Sequence, residues 1–194
     1  MSNKNNKVKY NLKNAHYALL TIGEDGTVTY ATPVPMPGSV SISLDANGEP
    51  ENFYADGIAY YVINNNMGYE GDLELAMIPE SFRTDALKEM LDDNGVLIEN
   101  SDVELASFAL LFEFDGDKKH IRHVMYNCTA SRPGIEGKTN EDSKDVQTET
   151  LTIAALPLPN GMVKAKTGNT TEATVYANWY KSVYQPTITE SEAD

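Results

Sequence analysis

The sequence predicts a mainly β protein: an antiparallel β-sandwich or barrel flanked by one α-helix, with a long inter-strand loop and extended terminal arms. Three observations predict it. Short segments in which apolar and polar residues alternate recur between turn-forming clusters. Only one stretch, around Phe82, carries apolar residues at helical spacing. Two long polar stretches, 45–57 and 132–145, interrupt the strand-like segments and read as exposed loops. A chain of 194 residues can bury one sizeable core, which is expected at 14–185, between an N-terminal arm at 1–13 and an acidic tail at 186–194.

In chain order, the polar, Asn/Lys-rich residues 1–13 form an extended arm that a partner or neighbouring subunit would order. Ala15 to Ile22 and Thr27 to Tyr30, joined through Asp25-Gly26, make a first hairpin. Val40, Ile42 and Leu44 alternate with Ser39, Ser41 and Ser43, a strand with one small polar face. The loop 45–57 carries Phe53 and Tyr54 near its far end, and Ile58 to Ile63 resumes as a strand. Tyr69, Gly71, Leu73, Leu75 and Met77 then lie on one side of a strand, with the acids Glu70, Asp72 and Glu74 on the other. Pro79 and Glu80 suit a first helical turn, so a helix is expected over about 79–93, with Phe82, Ala86, Leu87, Met90 and Leu91 as its apolar stripe and Asn94-Gly95 as its stop. Val96 to Ile98 is a short strand. Phe108, Leu110, Phe112 and Phe114 point one way on a core strand, which turns at Asp115-Gly116-Asp117 into a partner from Lys118 to Thr129. Leu151, Ile153 and Ala155 alternate with threonines, and Ala173 to Val183, with Trp179, completes the strands.

Composition narrows the function. With 15 Lys plus Arg against 29 Asp plus Glu, the formal charge of −14 excludes a phosphate-gripping role, which concentrates cations. The single Cys128 allows no intramolecular disulfide framework, and no signal-peptide run follows the polar start, so a chain made in a reducing cytosol is expected. No window is long and apolar enough to span a membrane as a helix. No GxSxG, GxxxxGK[ST] or HExxH occurs. His120 and His123, three apart on a strand, point to opposite faces and cannot share a metal. Asp72 with Glu74, or Glu113 with Asp115, have the residue types of a glycosidase pair, but acids are so frequent here that chance placement explains them. No catalytic residue, cofactor or metal is expected.

The block FYADGIAYYVINNNMGYEGDLELAMIPESFRTDAL, followed by FEFDGDKKHIRHVMYNCTASRP, then GKT and TETLTIAALP, resembles the phage major tail proteins of the phi13 type in order and spacing. These build the tail tube of long-tailed phages of Gram-positive bacteria. The resemblance runs from about Ala15 to Leu158; the first ten residues and those after Pro159 have no counterpart in it. It implies a structural virion protein and no enzyme, with hexameric rings stacked into a hollow tube through which DNA passes without specific binding. It also implies assembly in the host cytoplasm and, as partners, further copies of this chain and the tape measure, tail tip and tail terminator proteins.

On that reading the ring-to-ring contact falls to the long loop, through Asn47, Gly48, Glu49, Pro50, Glu51, Asn52, Phe53, Tyr54 and Asp56, with Phe53 and Tyr54 as anchors. The N-terminal arm is a second candidate. For the lumen or an inter-subunit face there are two candidate rows, Ser39, Ser41 and Ser43, or Glu70, Asp72 and Glu74; the acids could instead meet Arg83 or Lys88 of a neighbour. The other readings are a monomeric β-sandwich module binding carbohydrate or protein and, more remotely, a carboxylate hydrolase.

Overall fold

The computed structural model describes residues 5–140 and 144–187. Among them the strands are β1 (Lys9–Ile22), β2 (Val28–Tyr30), β3 (Val34–Pro35), β4 (Ser39–Asn47), β5 (Glu51–Ala55), β6 (Ile58–Ile63) and β7 (Gly68–Leu75). Helix α1 (Glu80–Asp85) follows, then β8 (Met90–Leu91), β9 (Leu97–Ile98), β10 (Phe108–Gly116), β11 (Ile121–Ala130), β12 (Glu149–Ala155), β13 (Lys164–Lys166) and α2 (Ala173–Asn178).

The antiparallel main sheet has the order β2-β1-β10-β11-β12-β7-β4, with β3 on β1 and β13 on β11. Its corner is β11: His123 to Met125 pair with β13, and Cys128 to Ala130 pair with β12. The β12-β7-β4 half therefore folds over the β1-β10 half, and Leu73, Leu75, Leu151 and Ile153 meet Tyr17, Phe108, Leu110 and Phe112 in one core. Alternation on β10 sends Ala109 and Leu111 to the opposite face, where a second core forms with Ala18, Val124, Tyr126, Leu158, Trp179 and Val183. The fold is thus a mainly β, sandwich-like arrangement, as expected, with few helical residues.

Several expectations need correction. The helix is one and a half turns, not 79–93. It stops at Asp85 with Ala86 as its cap, Lys88 beyond it takes a positive φ of 61°, and Met90 and Leu91, both half exposed, pair with Ile98 and Leu97. Asp92 accepts backbone N–H groups from Asn94 and Val96, a local turn that competes with helix, and Asn94-Gly95 closes that small hairpin. Met77, beyond the end of β7, is 72% exposed. Residues 173–183 hold a second helix instead of a strand, since Val175, Trp179 and Val183 recur every four residues and reach one face.

The N-terminal residues also depart from a free arm. Lys9 to Lys13 belong to β1, and Asn6 bonds the β10–β11 turn, its Oδ1 accepting from the backbone N–H groups of Lys118 and Lys119 and its Nδ2 donating to the Lys119 carbonyl at 2.8 Å. Residues 1–4, and 188–194 of the acidic tail, lie outside the described residues. In the loop 132–145 the described residues carry no helix or strand.

Candidate functional site

The stretch expected as a loop at 45–57 is mostly strand. β4 runs on to Asn47, and β5 and β6 form a two-stranded hairpin of their own, off the main sheet. Asp56 and Gly57 have φ of 54° and 79°, the two positive values of a type I′ turn, which suits the twist of the flanking strands. Phe53 pairs with Tyr61 and Tyr54 with Ala59, leaving Tyr60 as the extra residue of a bulge. At the root, the Met67 N–H donates to the Asn47 carbonyl at 3.0 Å. Gly48, at φ 109°, sits where a Cβ would be 2.6 Å from the Asn65 carbonyl.

This hairpin is apolar without being buried. Phe53, Tyr54, Ile58, Tyr60, Tyr61, Val62 and Ile63 are all between 43% and 69% exposed. Register puts Phe53, Ile58, Tyr61 and Ile63 on one face and Tyr54 and Val62 on the other. The sequence reading selects Phe53 and Tyr54 within a loop and Ile58 to Ile63 as a separate strand, and does not pair the two. Asp-Gly flanked by aromatic and β-branched residues on both sides was the available signal for a hairpin here.

The two rows offered as alternative lumen faces largely coincide. Ser41 and Ser43 pair with Glu74 and Asp72, and Asp45 pairs with Glu70, so serines and acids share one surface. Ser39 leaves it: a bulge at Val40 sets Ser39 opposite Leu75, whose side chain is in the core. From the other side Thr150, Thr152 and Ala154 complete the surface. Ser41 donates to Glu74 at 2.7 Å, Thr148 to the other Glu74 oxygen at 2.6 Å, and Thr152 to Asp72 at 2.9 Å. Thr148 first, and Ser41 with it, hold the Glu74 carboxyl below its usual range. The three strands thus present acids and hydroxyls with no Lys or Arg in the register. β4 and β7 approach closely here: a Cβ on Gly71 would run into the Ser43 carbonyl.

Arg83 is committed within its own chain, to Glu89 at 3.1 Å and Glu149 at 2.7 Å. Glu113 is buried and bonded by Arg122 at 2.9 Å, Asn14 at 2.7 Å and Tyr180 at 3.3 Å, which makes it an internal brace. Asp115 is held down to about 2 by Lys13 first, with help from Asn11 and His120. Among the described residues no group of three or more His, Cys, Asp or Glu could hold a metal, and no helix is long and apolar enough to cross a membrane.

No family model and no curated protein matches the chain. Among solved structures, it is similar to a chain of an extracellular contractile injection system in its extended sheath–tube complex, at 8% identity and TM-score 0.44, covering 84% of this chain and 93% of that one. A chain of the anti-feeding prophage tube-terminating cap gives 9% identity and TM-score 0.41, over 83% and 93%. The sheath/tube terminator of the extracellular system in its extended state gives 9% and 0.41, over 80% and 94%. At such low identity and TM-score no residue role passes from those chains to this one.

Proposed function

We propose that this protein is a structural subunit of a phage-type tail tube, a major tail protein whose copies close into hexameric rings and stack. The observation that carries this is the β5–β6 hairpin. A two-stranded ribbon is marginally stable alone in water, and seven large apolar side chains on one projection form a patch of the kind that marks a protein contact. The resemblance of the sequence blocks to phage major tail proteins supplies the kind of assembly. The hairpin is then the ring-to-ring contact, with Tyr60, Tyr61 and Ile58 joining Phe53 and Tyr54 as anchors.

The β12-β7-β4 surface suits a channel wall. Its acids repel DNA phosphate, and its threonines and serines offer no cation on which a passing duplex could stall. β4 stands last in the strand order, so its outer edge can meet the next subunit of a ring by strand addition. The protein's place is then the virion tail, with the tail's own tip, terminator and tape measure proteins as neighbours.

Negative-stain electron microscopy across a concentration series tests the reading. Rings or hollow tubes are expected from the wild-type chain. They should be absent when a short Gly-Ser link replaces Glu51 to Ile63, a change that the Asn47–Met67 bond at the root should let the sandwich survive. Monomers at every concentration, with or without tail-tip proteins, would remove the tube reading in favour of a monomeric binding module.

A further inference from the structure

Between the two halves of the sandwich, at the end where β1 begins and β10 turns into β11, lies an open slot of about 340 Å³. Its floor is aromatic. Phe112 and His123 stack with centroids 5.1 Å apart, and Phe114 stands edge-on to both. Its rim is cationic: Lys9 Nζ lies 4.6 Å from the Phe114 centroid, and Lys164 Nζ lies 4.1 Å from that of Tyr69 and contacts its hydroxyl. Lys166 follows on the same short strand, paired with His123. Burial, reinforced by Lys166, Lys9 and Lys164, depresses the His123 imidazole to about 4, so at neutral pH the floor is uncharged. Among the described residues none of Lys9, Lys164 and Lys166 has an ion-pair partner, in a chain with 29 Asp plus Glu against 15 Lys plus Arg.

The complement of this slot is on the same chain. Residues 48–67 contain three acids, Glu49, Glu51 and Asp56, and no Lys, Arg or His, and none of these acids is ion-paired among the described residues. They flank the exposed aromatics of the hairpin. Unpaired acids beside exposed aromatics, and unpaired lysines above an aromatic floor, are what two surfaces that bury each other require: desolvated rings at the centre and opposite charges at the rim. The hairpin's own exposure shows that it does not fill the slot of its own subunit. We propose that the slot receives the β5–β6 hairpin of a second copy of this chain. This rests on the tube reading and deepens it by naming the surface that the hairpin grips.

Cross-linking tests it directly, because buried Cys128, its thiol pushed up to about 12, contributes no background. Tyr54→Cys on the hairpin and Ile42→Cys at the slot are made in separate copies, mixed and oxidised. A disulfide joining the two variants is expected, and Lys9→Glu/Lys164→Glu/Lys166→Glu in the slot-bearing copy should reduce its yield at least tenfold at low salt. Glu51→Lys/Asp56→Lys in the hairpin copy should restore it. The failures separate. Tubes that form unchanged from the triple-Glu protein overturn the slot and leave the tube reading standing. Monomers with no mixed cross-link at any concentration overturn both. A cross-link inside one dilute copy carrying both cysteines, where mixed copies give none, assigns the slot to its own hairpin and overturns the second-copy inference.

Discussion

Arg122 Nε donates to Glu113 Oε2 at 2.9 Å, and Glu113 is only 1% exposed. The pair joins β10 to β11 and, through the Arg122 guanidinium 3.9 Å from the Tyr176 centroid and the Tyr180 hydroxyl on Glu113, clamps the α2 segment onto the sheet. Removing one partner leaves a buried charge without its counterion, so Arg122→Met should cost about 3–5 kcal/mol. The double variant Glu113→Leu/Arg122→Met should cost less than the single one. Urea denaturation measures both, and a double variant at least as damaged as Arg122→Met would contradict the brace.

Gly68 and Gly57 both have positive φ, 100° and 79°, but in different surroundings. A Cβ at Gly68 would run into the Ala155 carbonyl, whereas at Gly57 it would meet open space. Gly68→Ala should therefore destabilise the whole fold by about 3 kcal/mol or more, and Gly57→Ala by about 1 kcal/mol, confined to the hairpin. Thermal unfolding of the two variants side by side checks this contrast.

His123 predicts an acid limb of stability. Its folded value, about 4, lies below the 6.5 of an ordinary histidine, so as pH falls the unfolded chain takes up the proton first. Stability should be level above pH 6.5, decline by up to about 3 kcal/mol between 6.5 and 4, and gain no further loss from this residue below 4. Asp115 acts in the same direction only lower, as pH falls from 3.8 towards 2. His123→Leu should flatten the upper limb in urea titrations at stepped pH; an unchanged limb would assign it elsewhere.

The acid face makes a prediction about DNA. Glu70 and Asp72 are exposed, so Glu70→Lys/Asp72→Lys should leave the fold within about 0.5 kcal/mol of wild type. If the face lines a channel, the variant should acquire salt-sensitive DNA retention that the wild type lacks, weakening steeply as salt rises. Gel retardation at two salt concentrations distinguishes this from a solvated face with no such duty.

Alternation made most of the sheet legible. Period alone places Phe108, Leu110 and Phe112 on a core face and makes a strand of the segment with Leu151 and Ile153, because each strand has one face that must be dry. What escaped was set by context beyond the local pattern. Met90 and Leu91 fit a helical stripe as well as a strand, and only the Asp92 side chain, capturing two backbone donors, decides between them. Ser39 lost its face to a one-residue bulge at Val40, which no periodicity announces. The serine and acid rows read as rivals because cross-strand register, not composition, puts them on one surface. The hairpin was split between a loop and a strand because its apolar residues resemble core residues, and only the fold shows that they have no core to enter.

β10 feeds two cores with opposite appetites. One face of it is Phe108, Leu110, Phe112 and the other Ala109, Leu111, Glu113. A slip of one residue against β1 would push three large rings and chains towards the space fitted to alanine and carry the Glu113 carboxylate into the hydrocarbon side, away from Arg122 and Asn14. Two asparagines on β1, Asn11 and Asn14, sit at positive φ beside its bulges and bond Asp115 and Glu113 in turn. The strand thus proofreads its own alignment: misregistered copies should be too unstable to persist, and the proposed tube, if built from such subunits, would inherit a part that has effectively one shape.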